Sequence, residues 1–210
     1  VIRDSSLRLV GSEMCIRDSL STTNAGKVTE ICDAIGDLLD LVDRPADMPD
    51  VVEDAPDLEG NARLKAAAVC AATGLDAVSD DTGLEVDALD GAPGVLSARY
   101  AGAHATYADN VAKLLSELER VGARSPDRRR ARFRTVVMVV RPDGSELMAE
   151  GTVEGVISDD SRGRGGFGYD PVFVPLEGDG RSFAEMGDDK HEISHRGKAL
   201  RALARALRDA

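Results

Sequence analysis

Apolar positions change their period several times along this chain, and each change predicts an element. Val28, Ile31, Cys32, Ile35, Leu38 and Leu39 recur at helical spacing, with Asn24 placed to cap the helix start. "DLEGNARLKAAAVCAATG" predicts an alanine-rich helix from about Glu59 that stops at Gly74. "LDAVSDD" and "LEVDAL" then read as two short strands, followed by the turn "DGAPG". Val111, Leu114, Leu115, Leu118 and Val121 stripe a further helix. "RFRTVVMVV", the turn "RPDGS" and "ELMAEGTVEGVI" predict a β-hairpin. A glycine-rich loop leads to a strand in "PVFVP", and "RGKALRALARALRDA" reads as a closing helix. Helices and strands alternate throughout, which predicts the α/β class. No Pro/Ser-rich linker divides the chain, so a single domain is expected over residues 21–210.

The first twenty residues break this regularity. "IRDS" occurs at residues 2–5 and again at 16–19, a unit too short to be a structural repeat. The segment 1–20 is therefore expected to be atypical and not native to the fold.

Composition narrows the function classes. The 210 residues suffice for one sizeable core or two small lobes around a cleft. No apolar run approaches the ~20 residues of a membrane helix, and no signal peptide is readable. Cys15, Cys32 and Cys70 are odd in number and lack CxxC spacing, so neither a disulfide framework nor a zinc site is indicated; the cytosol is expected. The net charge of −12 argues against a nucleic-acid partner. The one basic run, Arg128 to Arg134, reads as a solvated loop entering a strand.

Two motifs mislead. Gly26-Lys27 resembles the end of a Walker A loop, but Ser21 stands where its first glycine belongs and Val28 follows the lysine. Gly163, Gly165 and Gly168 match G-x-G-x-x-G, yet "YDPVFVP" follows where a dinucleotide fingerprint must open a helix. Both stretches retain backbone N–H groups suited to a phosphate.

The adjacent aspartates Asp80 and Asp81 carry more. Taken alone, such a pair after a strand is turn chemistry. The chain also offers Glu53 before a helix, Lys65 on it one turn after Asn61, Lys27 at another helix start, and Lys190, His195 and Arg196 in "DDKHEISHRGKAL". Phosphoanhydride chemistry needs these types: carboxylates for a divalent cation, cations for phosphate charge, and a base to orient water.

The blocks "TTNAGK", "EGNARLKA", "SDDTGLEVDALDGAPGVLSARYAG", "GGFGYDPVF" and "FAEMGDDKHEISHRGKAL" occur in that order over residues 22 to about 208. In these blocks the chain resembles the non-canonical purine nucleoside triphosphate pyrophosphatases, the inosine triphosphate pyrophosphatase family. The resemblance implies an elongated mixed sheet flanked by helices, with two lobes around a nucleotide cleft. It implies hydrolysis of inosine, deoxyinosine or xanthosine triphosphate to the monophosphate and pyrophosphate, Mg²⁺ as cofactor, and a homodimer. By the same resemblance, Thr22, Thr23, Asn24, Ala25, Gly26 and Lys27 would cradle the triphosphate and Lys65 would reach it. Asp81 would be general base and metal partner, with Asp80 and Glu53 completing the metal site and Thr82 near the substrate. "EDAPDL" departs from the family's usual context around Glu53. Phe167, Gly168, Tyr169 and Asp170 would line the base pocket, completed by Lys190, His195 and Arg196. His104 and His191 are expected at the surface. The competing readings are a nucleotide-binding module without turnover and a pyrophosphatase for other modified nucleotides.

In the family, an apolar central strand runs into the T-x-N-x-x-K motif. Here "CIRDSLS" stands in its place, so that strand is expected to be absent or improvised, because an unpaired buried charge costs several kcal/mol. Replacing residues 1–20 with an apolar strand is expected to raise the melting temperature; an unchanged thermal transition would contradict this.

Overall fold

A computed structural model of the chain describes residues 17–20, 31 and 40–209. Its strands are β1 (Arg17–Leu20), β2 (Asp40–Asp43), β3 (Asp76–Val86), β4 (Pro93–Gly94), β5 (Arg130–Val140), β6 (Glu146–Ile157) and β7 (Phe173–Pro175). The helices are α1 (Leu58–Thr73), α2 (Tyr107–Arg120), α3 (Phe183–Met186), α4 (Lys190–Ile193) and α5 (His195–Asp209). Among the described residues the strands form one mixed sheet in the order β2-β1-β3-β5-β6-β7, with β4 beside β3. β1 is parallel to β2 and β3, and the remaining pairs are antiparallel. The expected α/β class, a mixed sheet flanked by helices, is what the chain forms.

Local chemistry accounts for the elements. The Asp57 side chain accepts from the Gly60 amide at 2.7 Å to start α1, and Gly74, at φ +70°, ends it. Thr106 and Asp109 form a reciprocal capping box at the start of α2. The β5–β6 hairpin closes through the predicted "RPDGS" turn, where the Gly144 amide donates to the Arg141 carbonyl at 2.9 Å.

One expectation is corrected. The segments read as two short strands are one continuous strand, β3, which runs through Asp80 and Asp81. It does so because a strand sends successive side chains to opposite faces, so the two carboxylates do not share a side. The first strand, expected to be absent or improvised, is the four-residue β1, paired with β2 on one side and β3 on the other. The helix expected after Gly26 lies outside the described residues apart from Ile31, which is helical and buried.

The core divides along β3. Ala77, Val136, Met138 and Val140 pack against Leu58, Ala62, Ala66 and Val69 of α1 on one face. Val78, Val137 and Val139 pack against Ala199, Leu200 and Leu203 of α5 on the other. At the far end of the same strands, Leu84, Val86 and Phe133 join α2 and Phe173 in a third cluster. Between these ends lie Asp80 to Gly83. One edge of β3 pairs with β1 up to Val78 and with β4 from Leu84. Residues 79–83 have no strand partner on that edge among the described residues, and the cleft opens there.

Close backbone approach sets α5 on the sheet. A Cβ at Gly151 of β6 would overlap the His195 carbonyl oxygen and the Ala199 amide nitrogen. Gly151→Ala is therefore expected to destabilise the fold by about 3 kcal/mol, the upper range for overpacking, in urea unfolding. A loss below about 0.5 kcal/mol would show that α5 can be lifted from β6 at little cost.

Candidate active site

The cleft holds about 450 Å³, within the ~300–1,000 Å³ range of small-molecule sites. It meets β3 from both faces. On the α1 face, Lys65 Nζ donates to Asp81 Oδ1 at 2.8 Å and to Glu53 Oε2 at 3.2 Å. Asn61, one turn before Lys65 on α1, donates to Asp81 Oδ2 at 3.5 Å and accepts from the Ala55 amide at 3.0 Å. It thereby ties the loop carrying Glu53 to the helix. Burial alone would lower the Lys65 pKa. The charges of Asp81, Asp80 and Glu53 outweigh it and hold the ammonium above the ordinary lysine value. A cation raised in this way contributes stability throughout the neutral range and loses it only as strongly alkaline pH passes the folded value.

On the α5 face, Arg196 donates to Asp80 Oδ2 from Nε at 3.3 Å and from Nη2 at 3.2 Å. Both side chains are 1% exposed. Thr82 Oγ1 lies 2.8 Å from Thr135 Oγ1, directly across the β3–β5 ladder, and Thr135 Oγ1 lies 2.6 Å from His195 Nδ1. The His195 ring stacks on Phe133 with centroids 4.6 Å apart.

A glycine-rich loop completes this side. Asp170 Oδ2 accepts from the Phe167 amide and from Lys190 Nζ, each at 2.8 Å. Gly166 has φ +71°, and a side chain there would collide with the Asp170 carboxylate. The Phe167 ring is half-buried at the cleft wall, with Lys190 Nζ 5.0 Å and Arg196 Cζ 5.7 Å from its centroid. Tyr169 donates to the Ser97 carbonyl at 3.0 Å, and burial pushes its phenol pKa up, so it stays a neutral donor.

The structure brings Glu53, Lys65, Asp80, Asp81, Thr82, Phe167, Gly168, Tyr169, Asp170, Lys190, His195 and Arg196 to the one cleft. Thr22, Thr23, Asn24, Ala25, Gly26 and Lys27 lie outside the described residues, as does the His191 side chain. His104 is exposed, as expected. Asp80, expected as a metal partner beside Asp81, also has a basic partner of its own. It faces away from Glu53 and Asp81, and its Oδ2 is held by Arg196. Each aspartate thus has a basic partner at the cleft. The "RRRARFR" run is also corrected. Arg129 is buried and donates to the Ile157, Ala123 and Ser158 carbonyls, while Arg134 pairs with Glu150 at 2.8 Å.

Sequence reasoning missed Arg44, Tyr107 and Phe133, which line the cleft, and Thr135. For Thr135 a signal existed: it is the lone polar residue in the apolar stretch "FRTVVMVV" that faces α5. Arg44 and Tyr107 carried none.

A family model described as the Ham1 family matches residues 19–206. The chain belongs to the Ham1 family. This Ham1 chain is 49% identical over 195 residues to a dITP/XTP pyrophosphatase of Thermus thermophilus, covering 90% of the chain and 91% of the relative. It is 43% identical over 196 residues to a dITP/XTP pyrophosphatase of Streptomyces coelicolor, covering 90% and 96%. Its fold resembles that of a HAM1 protein from Coxiella burnetii, with TM-score 0.86, 36% identity, and coverage of 93% of this chain and all of that one. Among the described residues of the Ham1 chain, no helix is long and apolar enough to cross a membrane.

Because Asp80 and Arg196 are both buried, removing one charge leaves the other uncompensated. Asp80→Asn is expected to cost about 3 kcal/mol in denaturant unfolding, with part recovered by adding Arg196→Met. Full additivity of the two substitutions would show the pair to be uncoupled.

Proposed function

We propose that this Ham1 chain hydrolyses non-canonical purine nucleoside triphosphates, such as those of inosine, deoxyinosine and xanthosine, to the monophosphate and pyrophosphate. The observation that carries this reading is the two-sided cleft: acid, base and ammonium on the α1 face of β3, an aromatic and polar pocket on the other. The relatives' activity and the identity over most of the chain support the substrate class.

On the α1 face, Asp81 orients the attacking water and takes its proton. The water oxygen bonds to the α-phosphorus as the bond from that phosphorus to the pyrophosphate oxygen breaks. Lys65, within 2.8 Å of Asp81, offsets phosphate charge and fixes the carboxylate.

The donor set suits Mg²⁺. Glu53 and Asp81 converge on the Lys65 ammonium, at 3.2 and 2.8 Å, so the two carboxylates lie close enough to share a cation. Mg²⁺ is held through one or two carboxylates plus substrate phosphates, and a cage of three or more acidic or His/Cys ligands does not occur among the described residues. Glu53 and Asp81 would hold it, and when bound it would supply Lewis-acid stabilisation to the phosphate oxygens.

On the other face, Phe167 offers its ring to a purine, while Lys190, His195 and Arg196 offer donors. A 6-oxo purine presents an acceptor where adenine presents an amino donor, and a donor lined up against an amino group is left unpaired. The resemblance carries the further proposal of a homodimer, and the charge and cysteine pattern that of a cytosolic enzyme.

Pyrophosphate release from inosine triphosphate is expected to exceed that from ATP, to cease on chelation of divalent metal and to return with Mg²⁺. Asp81→Asn is expected to lower kcat by about 10²–10⁴-fold in protein that remains folded by circular dichroism. Turnover that survives Asp81→Asn would remove this aspartate from the chemistry.

A further inference from the structure

Thr135 has no role in the chemistry above, yet it is fully buried in the sheet and its hydroxyl lies only 2.6 Å from His195 Nδ1. A buried hydroxyl has one proton to give, so its neighbours decide where that proton points. The chain of contacts runs from Arg196 Nη2 to Thr82 Oγ1 at 3.4 Å, on to Thr135 Oγ1 at 2.8 Å and then to His195 Nδ1.

Two polarities are compatible with the two short links. In one, protons point toward Asp80, and His195 Nδ1 must be the donor. In the other they point toward His195, and Nδ1 must be the acceptor. Asp80 Oδ2 decides between them. Arg196 donates to it from Nε at 3.3 Å and from Nη2 at 3.2 Å, and the Thr82 hydroxyl is a further claimant only at 3.4 Å. The Thr82 proton has the shorter bond available at Thr135, 2.8 Å away. The Thr135 proton is then directed at Nδ1.

We infer that Thr135 is a specificity-determining positioning residue, which with Thr82 and Arg196 holds His195 as the tautomer protonated on Nε2. This rests on the proposed base-recognition role of His195. With Nδ1 committed as an acceptor, the ring's other nitrogen can only donate. A 6-oxo group accepts that proton, whereas a 6-amino group cannot. The hydroxyl relay thus converts an ambivalent imidazole into a one-way reader of the purine edge, at a position that touches no nucleotide itself.

The test combines nitrogen NMR of the full chain, labelled at histidine and assigned by His195→Gln, with kinetics. Spectra are taken above about pH 8, where imidazole is ordinarily neutral. The expected result is a protonated Nε2 and a bare Nδ1 on His195. A proton on Nδ1, alone or together with Nε2, overturns the inference. In Thr135→Val, which keeps the shape and deletes the hydroxyl, the tautomers are expected to mix. The kcat/KM preference for inosine triphosphate over ATP is expected to fall about tenfold to a hundredfold, chiefly through KM. Thr135→Ser is expected to restore both. A tautomer unchanged in Thr135→Val removes the relay, and an unchanged preference despite a mixed tautomer removes its part in specificity. If the wild-type chain shows no preference for inosine triphosphate, the functional reading fails, and the NMR result still decides the relay by itself.

Discussion

The two-residue period of a β-strand is the constraint on which this site depends. Asp80 and Asp81 are adjacent in sequence, and in a turn their charges would compete for the same space. In β3 they leave the backbone on opposite sides. Asp81 meets Lys65 from α1 at 2.8 Å, and Asp80 meets Arg196 from α5 at 3.2 Å. One strand therefore pins a helix on each face through a charge pair, and the same two pairs divide the cleft into two sides, to which the proposed function assigns the phosphates and the base.

The remaining architecture serves to keep that strand rigid while leaving it accessible. β5 pairs with β3 along Ala77–Val86, which fixes the direction of every side chain between them. On its other edge β3 pairs with β1 up to Val78 and with β4 from Leu84, and among the described residues no strand pairs with residues 79–83 there, so the cleft residues sit where β5 braces the opposite edge. Gly83 permits this opening to close again at β4, since a Cβ there would lie 2.8 Å from the Gly94 carbonyl oxygen. The loop "GGFGYD" is fixed by a single carboxylate, Asp170, which holds the Phe167 backbone and the Lys190 side chain together. Aromatic wall and cationic rim are thus positioned by one group.

Much of this was legible in the sequence because the signals were local. The α1 helix shows its alanine-rich run and Gly74 stop, and the hairpin shows its "RPDGS" turn. Asn61 and Lys65 announce a shared face by their spacing. What was not legible depends on pairing across the sheet. Splitting β3 into two strands followed from treating charges as strand breakers, when each had a basic partner waiting on another element. That the two aspartates face opposite sides was hidden for the same reason, since it follows from the period of the strand that carries them. Arg129 read as part of a solvated basic run because nothing near it in sequence reveals the three carbonyls it caps. Thr135 was visible as a polar residue in an apolar strand, but its meaning required knowing that His195 packs against it.

The division of labour across β3 is tested most directly by a crystal structure with a non-hydrolysable inosine triphosphate analogue and a divalent cation. The triphosphate is expected beside Lys65, Glu53 and Asp81, the purine against Phe167 and His195, and the Asp80–Arg196 pair intact between them. Phosphates bound on the Arg196 side, or a metal ion bridging Asp80 and Asp81, would contradict that division.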